Sequence, residues 1–479
     1  MNNLNMNSAI TRRHFARTLA LPVGALMLGS ALPAWAKKKK QKEDKPSSPA
    51  QPDSAQPKYE TKVLWDFDGL LKDSPNPRSN RPHVYNGNAY LVVILPGRQV
   101  KVVKVSLDDG KVQMEPLWKS KPSYTAGNDN HRYYAVGIDA LGYIHVTGDM
   151  HQQGHVPHWI SKRPEDISEF HHACGEGSNK GPQGLSVTYP HFFRSPDGEL
   201  YHECRASRPV WGIALSRLHV KTQTWTMLGA DVTRADAGLK DKHDRRGVWG
   251  TPITIWENNG QGSNFGYTQP HMDICWDKNK RMHMVFGILN KTAPHKRDMV
   301  GKGHNTATHI LYAYTDDGGK TIYRGDGSKI EWPIRAEAGP QQGDVVYKEN
   351  QGPAPWLKLG VSIEIDKHNR PIVRCSSFKT GHHSLVLVNG KWIDRKDADA
   401  KPSGPVENGP AGNKDADEEE GYNPRLIHAR TLKLPYQIEN LDEEYLRDTG
   451  NLLYTAVPPA KQRKTRIILV LATPVQIKK

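Results

Sequence analysis

The sequence predicts an all-β fold, and three of its features carry that prediction. The chain has 42 glycines and 34 prolines among its 479 residues, and both residue types favour turns. Turn signals such as Asp108-Asp109-Gly110 and Asn389-Gly390 separate short strand-like stretches along most of the chain. The mean hydropathy is −0.70, so we expect no internal membrane span. We therefore expect sheet repeats with long insertions, not alternating strands and helices.

The first 36 residues have the features of a twin-arginine export signal. Arg12 and Arg13 precede an apolar stretch from Leu19 to Leu32, and Ala34-Trp35-Ala36 supplies a small-residue cleavage site. This pattern predicts an exported protein, periplasmic or secreted, that keeps no membrane span after the signal is cleaved.

The remaining chain divides into a linker and one folded domain. Residues 37–58 are rich in Lys and then in Pro, Ser and Gln, so we expect a disordered linker. Residues 59–479 are expected to form a single domain, and a mature chain of about 440 residues suits seven four-stranded sheets. Residues 396–421, rich in Asp, Glu, Pro and Gly, interrupt the pattern as a surface insertion. The apolar stretch from Thr465 to Val475 could complete the first sheet and close a ring.

The net charge indicates the class of binding partner, and the cysteine spacing indicates the state of the thiols. The formal net charge is +15, which in an exported protein favours an acidic polysaccharide over nucleic acid. We expect a monomer. The four cysteines are widely separated and form no C-x-x-C motif, so buried free thiols are expected instead of a disulfide scaffold. They are Cys174, Cys204, Cys275 and Cys375.

A histidine stands at each end of a predictable β-hairpin. The turn Asp139-Ala140-Leu141-Gly142 has Asp first and Gly last, a common type I signature, so Ile138 should face Tyr143. Counting outward brings His131 within one residue of His151 at the open end. The two histidines are therefore expected at about the separation of cross-strand neighbours.

A second hairpin repeats this arrangement with a tyrosine and an arginine. Its turn is Ser195-Pro196-Asp197-Gly198, with Pro and Gly where a type I turn favours them. Arg194 is expected opposite Glu199, which brings Tyr189 within one residue of Arg205. If the hairpins belong to neighbouring sheets, the two histidines, the tyrosine and the arginine converge on one rim.

Several segments between about residues 125 and 335 together resemble one protein family. The segment from Thr315 to Ile322 follows the Asp-box pattern S-x-D-x-G-x-T-W, in which the Asp ties down its own turn. The other segments are Asp129-Asn130-His131, Gly142-Tyr143-Ile144-His145-Val146, Met150-His151, Ser161-Lys162-Arg163-Pro164-Glu165-Asp166-Ile167, Thr188-Tyr189-Pro190, Asp197-Gly198-Glu199-Leu200 and Tyr312-Ala313-Tyr314. This set resembles the BNR-repeat proteins that include the propeller-type ulvan lyases.

The resemblance implies a seven-bladed β-propeller and a polysaccharide lyase that acts on uronic acid residues next to rhamnose. By position, the catalytic histidine of the family falls on His131, its second active-site histidine on His151 and its catalytic tyrosine on Tyr189. The arginine that neutralises the substrate carboxylate falls on Arg205. A further family tyrosine is replaced by Trp249, so related lyases that cleave rhamnosyl-glucuronate in plant gums remain an alternative.

The chemistry of elimination explains why these residue types are needed. A lyase removes the C5 proton of a uronate and expels the oxygen at C4, which leaves a double bond. A guanidinium that binds the neighbouring carboxylate offsets its charge and stabilises the enolate-like intermediate, a role that suits Arg205. His131 and Tyr189 then form the acid/base pair, and the C5 stereochemistry decides which is the base. His151 binds substrate or orients its partner.

Other residues are expected to bind substrate or a structural ion. The substrate-binding set is Asn130, Arg132, Trp249, Arg208 and Arg246. Elimination requires no cofactor once Arg205 holds the carboxylate. A structural metal ion, Zn or Ca, is a separate hypothesis at His271, Cys275 and His283, whose spacing fits no standard template.

Two functions of other classes fit part of the sequence. A sialidase-like glycoside hydrolase would need an arginine triad and a Tyr/Glu pair, and it would leave the two histidines without a role. A non-catalytic propeller that binds acidic glycans would bind without turnover. We therefore expect a lyase, and an assay for its unsaturated product separates the three.

Overall fold

The computed structural model describes most of the chain between residues 58 and 475. The described residues are 58–72, 81–129, 131–153, 156–173, 182, 187–206, 212–228, 253–254, 267–268, 272–290, 306–332, 334, 339–340, 342–348, 357–358, 361–377, 380–395, 432, 434–456, 458 and 465–475. The export signal, the linker except Lys58, and the insertion at 396–421 lie outside this part, so those assignments stay predictions.

Nearly all of the regular secondary structure in the described residues is β-strand, which confirms the all-β prediction. The strands are β1 (Tyr59–Asp68), β2 (His83–Tyr85), β3 (Asn88–Leu95), β4 (Gln99–Ser106), β5 (Val112–Pro116), β6 (Tyr134–Ile138), β7 (Ile144–Gly148), β8 (His151–Gln153), β9 (His158–Ser161), β10 (Phe170–His172), β11 (Val187–Arg194), β12 (Leu200–Ala206), β13 (Gly212–His219), β14 (Thr224–Met227), β15 (Ile253–Thr254), β16 (Tyr267–Thr268), β17 (Asp273–Trp276), β18 (Met282–Asn290), β19 (Thr306–Thr315), β20 (Ile322–Tyr323), β21 (Lys329–Ile330), β22 (Asp344–Lys348), β23 (Leu357–Lys358), β24 (Ser362–Ile365), β25 (Pro371–Ser377), β26 (Gly381–Val388), β27 (Lys391–Asp394), β28 (Ile438–Leu441), β29 (Leu452–Ala456) and β30 (Arg466–Pro474). A 3₁₀ turn (Pro96–Arg98) and one helix, α1 (Glu443–Thr449), complete the elements of this part.

The described strands form five antiparallel sheets, three of four strands, one of six and one of twelve, and six four-stranded units can be traced within them. The first four units in chain order are β2-β3-β4-β5, β6-β7-β9-β10, β11-β12-β13-β14 and β17-β18-β19-β22. They are followed by β24-β25-β26-β27 and, last, by β28-β29-β30-β1. Apolar side chains from consecutive units pack together, as where Val92 and Val102 of the first unit share a buried cluster with Val136 and Trp159 of the second. The core therefore lies between neighbouring sheets.

The last described strand pairs with the first, as the sequence predicted, but the sheet that they share is the last unit and not the first. Strand β30 pairs with β1 along its length, from Tyr59 opposite Pro474 to Asp68 opposite Arg466. Its other edge pairs with β29. The two ends of the folded chain are thus joined in one sheet, which suits a closed arrangement of units. In the part of the chain that is described, no helix has the length and apolarity to cross a bilayer.

Turns in three of the units are fixed by the same hydrogen-bonding pattern. In the second, fourth and fifth units, an aspartate opens the turn between the first two strands. One carboxylate oxygen accepts backbone N–H bonds of 2.8–2.9 Å from the residues two and four positions later. These residues are Asp139, Asp277 and Asp366. The predicted Asp-box behaves likewise, because Asp317 accepts bonds from the Thr321 N–H and the Thr315 hydroxyl.

This hydrogen-bonding pattern corrects the predicted register of the first hairpin. Ile138 pairs with Ile144 and not with Tyr143, so the prediction is wrong by one residue. The reason is that the Tyr143 N–H donates to the Asp139 carboxylate, which removes it from the ladder. His151 also leaves this hairpin, because β8 pairs with β11 of the next unit.

The second hairpin departs from its predicted register at one end only. Arg194 pairs with Leu200 and not with Glu199, because the Glu199 N–H donates to the Ser195 hydroxyl at 3.0 Å. A β-bulge between Thr188 and His191 then removes the shift. The open end therefore has the register that the sequence predicted.

Three imidazoles are buried between the second and third units. His145 and His158 are linked at 3.1 Å, His202 is 3.2 Å from the Thr147 hydroxyl, and all three rings border Trp225. Burial lowers the pKa of His202 from 6.5 to about 3. Burial, with the charge of neighbouring histidines, also lowers the pKa of His158 well below its usual value. We therefore expect His158 and His202 to be neutral in the folded protein.

Acid should destabilise the protein through this cluster. Because the folded-state pKa of His202 lies below its unfolded value, the unfolded chain takes up the extra proton. Stability due to this group is then lost as the pH falls from about 6.5 towards about 3. At about pH 5 the loss is about 2 kcal/mol. Urea unfolding of the His202→Asn variant should show a free energy of unfolding that falls by about 2 kcal/mol less than wild type between about pH 7.5 and about pH 5.

The matched control is His219→Asn, since His219 is exposed and also contacts a threonine hydroxyl, at 2.8 Å. The free energy of unfolding of this control variant should change between about pH 7.5 and about pH 5 as much as that of the wild type. An unchanged pH dependence in His202→Asn would show that His202 does not carry the effect.

Candidate active site

One backbone position of strand β11 brings three of the predicted residues together. Thr188 pairs with His151 of β8 on one side and with Arg205 of β12 on the other. The next residue, Tyr189, has a positive φ of 63° at the start of the bulge. Such a backbone conformation is uncommon for a tyrosine and is found mostly where the surrounding structure requires it.

The fourth predicted residue, His131, stacks on His151. The ring centroids are 4.2 Å apart and the planes differ by 12°. The ring of Tyr189 lies 5.6 Å from that of His131, and the guanidinium carbon of Arg205 lies 4.6 Å from the Tyr189 ring centroid. The structure therefore gathers His131, His151, Tyr189 and Arg205 into one site, as the hairpins predicted.

Asp129 joins the two histidines. One of its carboxylate oxygens accepts the His131 backbone N–H at 2.9 Å and lies 2.6 Å from Nδ1 of the same residue. The other oxygen contacts Nδ1 of His151. Each imidazole thus has its own carboxylate oxygen.

The carboxylate is ionised under ordinary conditions. Burial acts to raise the pKa of Asp129, but the hydrogen bonds from His131 and His151 outweigh it, and the pKa lies well below its usual value. An ionised carboxylate accepts hydrogen bonds and donates none. Nδ1 of each ring must therefore carry a proton, and in the neutral form of each ring the lone pair is on Nε2.

The site has an open side and a buried side. The side chains of His131 and His151 are 36% and 30% exposed, while Arg205 is only 5% exposed and lies beside Tyr189. A cation that is largely removed from water interacts more strongly with an anion. The site can therefore present imidazole nitrogens to a solvent-borne molecule above a fixed positive charge.

Asp129, His131 and His151 also form a group whose ligand atoms lie within 4.8 Å of one another. A metal ion bound by histidine lies close to the plane of the ring, about 2.0–2.1 Å from the nitrogen for zinc. The two rings are nearly parallel, so an ion midway between them would lie about 2 Å out of each plane. This arrangement suits a carboxylate shared by two N–H donors better than a metal ion.

A second group of metal-ligand types lies away from the site, and its oxygens already have donors. His83, Asp442 and Glu444 are buried together. Asp442 accepts bonds from the N–H groups of Val84 and Tyr445, and Glu444 accepts the Arg194 N–H. These hydrogen bonds connect helix α1 with strands β2 and β11.

Two of the three residues expected to bind a structural metal ion, Cys275 and His283, are described by the structure. Cys275 and His283 lie opposite each other on β17 and β18, but Nδ1 of His283 is 2.7 Å from the Tyr312 hydroxyl. His271 lies outside the described residues. Cys204, Cys275 and Cys375 are buried, as predicted, and Cys174 is not among the described residues.

The predicted substrate-binding residues are only partly visible. Arg132 forms an ion pair with Asp149 at 3.1 Å beside the site. The remaining four lie outside the described residues, so their roles stay predictions. They are Asn130, Arg208, Trp249 and Arg246.

Sequence reasoning missed Asp129. It appeared only as part of a motif, without a role. The available signal was its spacing, since an Asp two residues before a histidine commonly accepts that residue's N–H in an Asx turn. Neither the bulge nor the positive φ of Tyr189 has a comparable signal in the sequence.

Comparisons with known proteins agree with this fold. A family model described as a BNR repeat-containing family member matches residues 94–400. Among curated proteins none matches the chain. The structure of the polysaccharide lyase Uly1 is similar, with 11% identity, a TM-score of 0.54, and coverage of 85% of this chain and 92% of that one.

Two other solved structures are more distant. A PL25 ulvan lyase bound to -[GlcA(1-4)Rha3S]- has 14% identity and a TM-score of 0.47, covering 69% of this chain and 73% of that one. The α-L-arabinanase of Cellvibrio cellulosa complexed with arabinohexaose has 10% identity and a TM-score of 0.32, covering 70% and 97%. The likeness to Uly1 shows a shared fold.

The stacked histidines should bind no divalent ion. Calorimetric titration with Zn²⁺ should give the same number of sites in the wild type as in a His131→Gln/His151→Gln double variant, because the parallel rings cannot both direct lone pairs at one ion. A tight site that is present in the wild type and lost in the double variant would contradict this geometry.

Proposed function

The chain belongs to the BNR repeat-containing family, and on that premise we propose that it is a polysaccharide lyase of the ulvan lyase type. We propose further that its four-stranded units are blades of a seven-bladed β-propeller. The likeness to the polysaccharide lyase Uly1 and the pairing of β1 with β30 support a ring-closed fold.

The observation that carries the proposal is the meeting of two imidazoles, a phenol and a guanidinium at one end of strand β11. Elimination from a uronate needs an acceptor for the C5 proton, a donor for the C4 oxygen and a cation for the carboxylate. Each of these functions has a suitable group in the site. Most glycosidases instead use two carboxylates that flank the bond, and sialidases use a Tyr/Glu pair with an arginine triad.

Arg205 is proposed to hold the uronate carboxylate. Its guanidinium is almost buried and lies against the Tyr189 ring. A planar guanidinium can bind both carboxylate oxygens, and it offsets the charge that develops when C5 loses its proton. A carboxylate held there would bring C5 close to Tyr189 and His131.

Proton transfer is proposed to involve His131 and Tyr189. The group on the C5–H side takes the proton, the C4–O bond breaks as the C4–C5 double bond forms, and the opposite group protonates the departing oxygen. Nε2 of His131 has a lone pair for the first step, and the Tyr189 hydroxyl can supply the second proton. With the opposite C5 configuration the roles exchange: Tyr189 as tyrosinate takes the C5 proton, and His131 in its imidazolium form donates the Nε2 proton to the departing oxygen. His151 shares Asp129 with His131, and we propose that it binds the substrate or orients His131.

The substrate is proposed to be an acidic polysaccharide rich in rhamnose and uronic acid, of the ulvan kind. The basic chain, with a formal charge of +15, suits such a polymer. We also propose export by the twin-arginine route, which would place the enzyme where extracellular polymers are available.

A single assay tests the reaction class. The protein is incubated with ulvan, with gum arabic and with other uronate polymers, while the ultraviolet absorbance of the unsaturated uronate and the number of reducing ends are followed. We expect both to rise together on a uronate polymer. New reducing ends without absorbance would indicate a hydrolase, and binding without either signal would indicate a glycan-binding protein.

Substitutions at the site should lower turnover without unfolding the protein. His131→Gln and Tyr189→Phe should each lower kcat by about 10²- to 10⁴-fold, because each removes a proton-transfer group. Arg205→Lys should lower kcat/KM by about 10²-fold or more, because the paired hydrogen bonds to the carboxylate are lost.

The control is Arg374→Lys. Arg374 lies on β25 of another unit and forms an ion pair with Glu364 on β24. Its turnover should match that of the wild type. Turnover within about 3-fold of the wild type in His131→Gln or Tyr189→Phe would contradict the assigned acid/base roles.

A further inference from the structure

The two stacked histidines have a single hydrogen-bonding partner in common. Asp129 contacts Nδ1 of His131 through one oxygen and Nδ1 of His151 through the other. It is also anchored from behind by the His131 backbone N–H at 2.9 Å. With both oxygens engaged, the carboxylate fixes the rotation of two rings at once.

We propose that Asp129 is a positioning residue that holds His131 and His151 together as Nδ1–H tautomers and so leaves both Nε2 atoms available to the substrate. This inference rests on the proposed lyase function. It adds a residue that does not touch the reacting atoms but decides which nitrogen of each ring can accept a proton.

The stacking geometry explains why one carboxylate can serve both rings. The ring centroids are 4.2 Å apart and the planes are 12° from parallel. The two oxygens of a carboxylate are separated by about 2 Å, so each can lie near the plane of one ring and accept its N–H. Rotating either ring by half a turn would leave a carbon facing the carboxylate, which loses a charge-assisted hydrogen bond.

The role of Asp129 can be separated from that of a general negative charge. Asp129→Asn keeps the shape of the side chain but offers one acceptor oxygen and one N–H₂ donor. The amide can hold only one imidazole as the Nδ1–H tautomer. The other ring must accept from the amide at Nδ1, which places its proton on Nε2 and removes the lone pair that the substrate would meet.

The expected result is a loss of kcat with little change in KM. We expect kcat of Asp129→Asn to fall by about 10²- to 10⁴-fold, as in serine proteases, where the same replacement stabilises the wrong tautomer. KM should change by less than about 3-fold, since Asp129 is not placed to touch the sugar.

The matched control is Asp166→Asn. Asp166 accepts the N–H of the residue two positions later, Ser168, at 2.8 Å, just as Asp129 accepts that of His131. It pairs with Arg163 and contacts neither histidine. Its kcat should equal that of the wild type.

A spectroscopic measurement tests the tautomers directly and does not need turnover. Nitrogen-15 NMR of full-length protein labelled at histidine distinguishes protonated from unprotonated ring nitrogens, and His131→Gln and His151→Gln variants assign the two signals. The wild type should show both rings as Nδ1–H tautomers. In Asp129→Asn one of the two rings should carry its proton on Nε2.

The outcomes separate this inference from the proposed function. If the wild type produces no unsaturated uronate, the lyase proposal fails while the NMR result still decides the tautomers. Either histidine as an Nε2–H tautomer in the wild type, or Asp129→Asn with kcat within about 3-fold of the wild type, would overturn the positioning role. Should Asp129→Asn not fold, the wild-type tautomers decide alone.

Discussion

The site depends on one irregularity in strand β11. Thr188 pairs with His151 on one side and with Arg205 on the other, so the strand holds an imidazole and a guanidinium on either side of its backbone. The bulge that follows forces Tyr189 to a positive φ, which sets its ring against both His131 and Arg205. A regular strand would keep the alternation of side chains and could not place these groups together. The strain is therefore part of how the site is built.

The hydrogen bonds of the site divide its chemistry into two parts. On the open side, the Asp129 carboxylate orients His131 and His151, so the chemistry there depends on which nitrogen has the proton. On the buried side, Arg205 provides a positive charge that water screens poorly. Tyr189 lies between the two parts. The proposed uronate substrate, whose C5–H lies next to a carboxylate, would match this sequence of groups.

Local patterns in the sequence predicted the two hairpins and the convergence of their open ends, but not the exact registers or the bulge. Turn signals located both hairpins, and the residues at their open ends were correctly expected to meet. The registers were off by one residue near the turns, since side chains of Asp139 and Ser195 take N–H groups that regular pairing would use. The bulge at Tyr189 depends on contacts between units that are distant in sequence, so no local pattern reports it. Asp129 was visible in its motif, but its role required knowing that both rings stack over one carboxylate.

The most direct test is a crystal structure of the His131→Gln variant with a bound uronate oligosaccharide. The uronate carboxylate should bind both nitrogens of the Arg205 guanidinium, with C5 within about 3–3.5 Å of the Tyr189 hydroxyl or of the side chain at position 131. An oligosaccharide bound with its carboxylate away from Arg205, or on a different face of the protein, would contradict the assignment of this site.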